Sequence, residues 1–157
     1  MKYKELIILV LALSIIGCAS HNKLHVKSDG TFKTTSNIKG FKPNTLPHSY
    51  NPEIKCATYK YNLHSISQRV REEQNNLFTQ SLNHIGLKEL SDNPTNCYKI
   101  VLTTSFTPYI EIHNFSVKVY YGNEPHFESS NSNSPWVSYP KELYNLVFQD
   151  LNDWVKK

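Results

Sequence analysis

The stretch CYKIVLTTSFTPYIEIHNFSVKVYYG, residues 97–122, decides the fold. Tyr98, Ile100, Leu102, Thr104 and Phe106 alternate with Lys99, Val101, Thr103 and Ser105, and Pro108 ends the run. A second alternation sets Phe115, Val117, Val119 and Tyr121 against Ser116, Lys118 and Tyr120. A period of two places successive side chains on opposite faces of a strand. Two half-buried strands with a short link read as an antiparallel pair. Gly122-Asn123 then turns the chain.

Upstream, IKCATYKYNL (54–63) alternates as well, with Ala57, Tyr59, Tyr61 and Leu63 on one face. Its aromatic content suits a strand. Ser65-x-x-Gln68 has the form of a capping box. Ile66, Val70, Leu77, Phe78, Leu82 and Ile85 follow on one stripe of a 3.6-residue period, which predicts a helix. Gly86 suits a left-handed C′ position, with Leu82 and Leu87 as the hydrophobic pair of a Schellman end. SDNPTN (91–96) reads as a turn.

Downstream lies a polar loop that includes ESSNSNSP (128–135), then an expected short strand at Trp136 to Ser138. Pro140 opens a closing helix, whose stripe is Leu143, Leu146, Val147, Leu151, Trp154 and Val155. The predicted fold class is α+β. One two-layer domain would hold a mainly antiparallel sheet with both helices on one face, in the order β-α-β-β-(β)-α. The strand–helix–strand opening implies a right-handed crossover.

Cys56 precedes one strand and Cys97 the next, at one end of the sheet. A direct bridge needs Cα atoms within about 7 Å, which favours those strands as neighbours or else loops that fold across that end of the sheet. Closing a loop of about 42 residues would stabilise by about 4 kcal/mol on the chain-entropy model. Two cysteines without clustered histidines fall short of a zinc shell.

The third cysteine has a different setting. Lys2 and Lys4 precede an eleven-residue apolar run, Leu6 to Ile16, and then Gly17-Cys18. The run is about half the roughly 20 residues needed to cross a bilayer, so residues 1–17 read as a signal peptide. Ile15-Ile16-Gly17-Cys18 resembles the lipobox of bacterial lipoproteins. That resemblance implies lipidation of Cys18 with more than one acyl chain, palmitate being typical, and cleavage before it. More than one chain anchors stably. Ala19, which is not Asp, implies the periplasmic face of an outer membrane.

Removing Lys2, Lys4 and Glu5 with the leader lowers the formal net charge from +4 to +3. No basic stripe of the kind nucleic-acid binding requires is present. Residues 18–50 are rich in Ser, Thr, Asn, Lys, Gly and Pro and read as a flexible tether to a domain at 51–157. An alternative stays open within them. Leu24 and Val26, then Asp29-Gly30 and Phe32, would suit a short hairpin or an added edge strand.

No nucleophile elbow, phosphate-binding glycine loop or spaced acidic pair occurs. His21 and His25 are four apart but sit in the tether, and Glu111 and His113 alternate as an ordinary cross-strand neighbourhood would. We therefore expect no enzyme, no catalytic residue, no metal ligand and no cofactor. The chain has ten tyrosines. Tyr109, Tyr120 and Tyr139, with Lys118, lie off the apolar faces and form the candidate interaction surface.

The whole pattern resembles small outer-membrane lipoproteins that act as accessory or assembly factors, and the LptE-type lipoproteins share its two-helix-on-sheet plan. The resemblance implies a lipid-anchored, non-catalytic docking factor for an envelope protein. The alternative is a periplasmic lipoprotein that binds cell-wall glycan or lipid.

Overall fold

The computed structural model describes residues 26–33, 40–54, 56–64, 68–87, 96–106, 112–132 and 140–157. Five strands and two helices follow in order: β1 (Phe41–Lys42), β2 (Ala57–His64), α1 (Gln68–Ile85), β3 (Tyr98–Phe106), β4 (Ile112–Tyr121), β5 (Glu124–Ser132) and α2 (Pro140–Lys156). They form an α+β fold around one mixed sheet of order β1-β5-β4-β3-β2. β2 and β3 run parallel, as a strand–helix–strand connection allows, and every other pair is antiparallel.

The alternation in 97–122 sets the inner face. Ile100, Leu102 and Thr104 of β3 and Phe115, Val117 and Val119 of β4 are fully buried. Their register is Ile100↔Val119, Leu102↔Val117 and Thr104↔Phe115. Both helices pack on this face, because side chains from each meet the same ring. Phe78 of α1 stacks on Phe115 at 5.3 Å, while Tyr144 and Phe148 of α2 approach it at 4.5 and 5.5 Å.

The end of α1 has the expected Schellman form. Gly86 sits at φ +93°. Leu87 N–H donates to Leu82 C=O at 2.9 Å, and Gly86 N–H to Asn83 C=O at 3.1 Å. These bonds satisfy two carbonyls that the helix itself cannot. In α2 the buried stripe is Tyr144, Val147, Phe148, Leu151 and Trp154, with Leu146 only half-buried. The helix is thus rotated from the expected stripe toward its two large rings.

Two expectations are corrected. The polar loop after Gly122-Asn123 is instead β5, which returns beside β4 and places Phe127, Ser129 and Asn131 against the core. Of these three only Phe127 is apolar, so hydrophobic alternation could not reveal the strand. The tether does not extend to residue 50 either. Val26 and Phe32 bridge around an Asp29-Gly30 turn, Phe32 is 1% exposed, and β1 extends the sheet beside β5. Of the two forms left open for Leu24 to Phe32 the hairpin is seen, and the edge strand forms further along, at Phe41–Lys42.

Polar side chains of the last helix hold this N-terminal part. Gln149 Oε1 accepts from Phe32 N–H at 2.7 Å, and Asn145 Nδ2 donates to Lys33 C=O at 2.6 Å. Asp150 accepts from Asn44 N–H at 2.7 Å, and Trp154 Nε1 donates to His48 C=O at 2.8 Å. A composition-based spacer becomes structure because another element satisfies its backbone.

Cys56 and Cys97 form the expected disulfide, with Cα atoms 4.9 Å apart where parallel β2 and β3 begin. The expected signal peptide at 1–17, Cys18, Ser65, most of the expected 91–96 turn, Glu111 and the expected strand at Trp136 to Ser138 lie outside the described residues.

Candidate functional site

With both helices on one side, the other face of the sheet has no covering layer among the described residues. Laterally paired residues share a face, so the register writes out its rows. One row is Lys60, Val101, Lys118 and Glu128; a second is Asn62, Thr103, Ser116, Ser130 and Lys42. Thr58, Lys99 and Tyr120 form a third. Ser105 and Asn114 extend the face, and Asn114 Nδ2 donates to Ser105 Oγ at 3.1 Å.

Lys118 and Tyr120, both expected at an interaction surface, stand on this face and are half-buried. Tyr109 and Tyr139 lie outside the described residues. Lys118 Nζ meets Glu128 at 2.8 Å. That bond raises the pKa of the ammonium above the ordinary lysine value, against a smaller opposing effect of burial. Lys42, Lys60 and Lys99 are exposed and have no ion-pair partner among the described residues. The described charges of the face therefore sum to +3, four lysines against Glu128.

Sequence reasoning selected this surface for tyrosine, and the structure makes it chiefly lysine, serine, threonine and asparagine. Among the described residues only Tyr121 is a large apolar side chain exposed by more than a third. The missed lysines were visible as the outward positions of the same alternation, Lys60 and Lys99. Lys42 and Glu128 required β1 and β5, which hydrophobicity did not mark.

Beside β1 and β5 the face dips into a hollow of about 210 Å³ lined by Lys42, Pro43, Thr45, Leu46, Glu128 and Ser130. Small-molecule pockets commonly enclose about 300–1,000 Å³, so this one suits a small polar group. The space between helices and sheet is filled by Phe32, Phe78, Phe115, Phe127 and Phe148, all buried.

A second cluster lies where β4 turns into β5. The register shift between Val119 and Tyr120 leaves His126 as an extra residue on β5, and a bulge of this kind re-aims a side chain. The His126 ring stacks on His48 at 4.4 Å and meets the edges of Tyr98 and Tyr121. Glu124 stands 3.4 Å from His48 Nε2 and 4.0 Å from His126 Nε2. Desolvation, helped by His48, lowers the pKa of His126 despite Glu124. The described residues contain no group of three or more His, Cys, Asp or Glu placed to hold a metal ion. No described helix is long and apolar enough to cross a membrane.

Compared with protein-family models, curated proteins and solved structures, the chain matches none of them.

Proposed function

We propose that the chain is a lipid-anchored envelope lipoprotein whose folded part docks a protein partner through the open face of its sheet, without catalysis. Residues 1–17 would be removed and Cys18 acylated at the periplasmic face of the outer membrane. The observation that carries the docking reading is a sheet face that no described residue covers. It is lined by half-buried polar side chains and exposed lysines, while both helices pack on the other side of the sheet. The Cys56–Cys97 disulfide suits an oxidising compartment outside the cytoplasm.

Two measurements test this reading. Mass spectrometry of the mature product should find an acylated N-terminal residue 18, and Cys18→Ser should release the protein from membranes. A photo-crosslinker at position 120 should capture an envelope protein in intact cells. An unmodified terminus elsewhere, or extraction into buffer without detergent, would sink the anchoring. The hollow beside β1 favours one other reading, a lipoprotein that binds cell-wall glycan. Strong glycan binding with no protein captured at position 120 would give that reading precedence.

A further inference from the structure

We infer that the open face is built for an acidic protein surface, on the side of the sheet opposite the hairpin through which the chain from Cys18 enters the fold; this deepens the docking reading and rests on it.

Charge is the first ground. The described side chains of the face carry +3, and the chain without its leader carries +3 in total. The net charge of the molecule is thus matched by one surface, and the remainder balances. Lys42, Lys60 and Lys99 project from three different strands without ion-pair partners among the described residues. Exposed charges so arranged attract and orient a partner of opposite sign, and repel a basic one.

Shape is the second. Three strand intervals of about 4.8 Å and eight residues at about 3.3 Å make a face of about 14 by 26 Å across β2 to β5, widened at one place by two-residue β1. That extent suits an interface smaller than the ~800 Å² that each partner of a standard complex buries. Ser, Thr and Asn between the lysines can donate and accept hydrogen bonds at the density such interfaces use. Sugars and other small ligands are held in concave sites, whereas the rows of this face are a sheet surface that dips at the hollow beside β1.

The third ground is the position of the anchored end. The described chain starts at Val26, and the hairpin that follows packs on the helix layer. Phe32 lies against Phe148 of α2 and His84 of α1, and His84 Nε2 contacts Gly30 C=O at 2.7 Å. Eight residue steps separate Cys18 from Val26 and span at most about 28 Å. The chain from Cys18 thus enters the described fold on the helix side, opposite the lysine face.

The experiment uses the full chain in its own membrane, with a photo-crosslinker at Tyr120 and, separately, at Ser116. The expected result is one protein adduct whose joined peptide is rich in Asp and Glu. Lys60→Glu with Lys99→Glu should lower the adduct yield about ten-fold. Changing the acids of that peptide to Lys should restore it. Lys27→Glu, an equal change of charge on the hairpin, should leave the yield unaltered. Lys60→Gln with Lys99→Gln, checked for an intact disulfide and protease resistance, separates loss of charge from loss of fold. A protein adduct insensitive to charge reversal overturns the acidic partner and leaves docking standing. Adducts to lipid or glycan alone, or to nothing at both positions, overturn docking as well.

Discussion

At the scale of single residues the structure singles out three positions that can be changed without rebuilding the fold. Gly86 sits at φ +93° with no atom within 4 Å of the position a Cβ would take. Gly86→Ala should therefore cost about 1 kcal/mol through backbone conformation alone, read as a lower denaturant midpoint with unchanged slope. Thr104 is fully buried on the inner face and its hydroxyl has no hydrogen-bond partner among the described residues. Thr104→Val keeps the shape and removes a desolvated polar group, so it should stabilise by about 1 kcal/mol. His126 behaves differently. Its lowered pKa means the unfolded chain binds the proton more readily near neutrality. Its contribution is complete above the ordinary histidine value of about 6.5 and is lost as the pH falls through the folded-state pKa. The groups facing it are His48 and Glu124, with the phenols of Tyr98 and Tyr121. Melting temperature should drop on acidification below about pH 6.5, and His126→Phe, which keeps the ring stack, should flatten that dependence.

At the scale of elements the disulfide is the clearest lever. It joins β2 to β3 at the end where both begin, across a loop that contains all of α1. Replacing Cys56 and Cys97 with Ser should cost about 4 kcal/mol on the chain-entropy model, measured by denaturant unfolding against the oxidised chain. The same strands show how far sequence carries. β2, β3, β4 and α1 were legible because apolar side chains recur at the period of the element. The Schellman end was legible because Gly86 and Leu87 stand where its geometry needs them. β5 was hidden, since Ser129 and Asn131 fill inward positions without being apolar. β1 was hidden because two residues carry no period. At Gly40, beside β1, an added Cβ would lie 2.2 Å from the Ser132 carbonyl oxygen. That close approach keeps the short strand in register, and a lone glycine in a polar segment does not announce it. The open face was half legible for the same reasons: Lys60, Lys99, Lys118 and Tyr120 follow from alternation, while Lys42 and Glu128 depend on the two hidden strands.

For the molecule as a whole, one side is sealed by aromatic packing and the other is left polar and positively charged. The sealed side is held by ring contacts running from Tyr61 through Phe78, Phe115 and Phe148 to Phe32. The first described segments and the last helix meet there. Phe32 lies on Phe148, Asn44 bonds Asp150, and His48 accepts from Trp154. Partners so far apart in sequence are the slow step for a chain threaded out one end first. β1 can pair once β5 is made, but the hairpin at 26–33 must wait, undocked, until α2 has emerged. A product cut short before Pro140 would leave that early segment loose and the inner face bare, and proteases would remove it. A late helix is in this way the shelter of a segment made more than a hundred residues earlier.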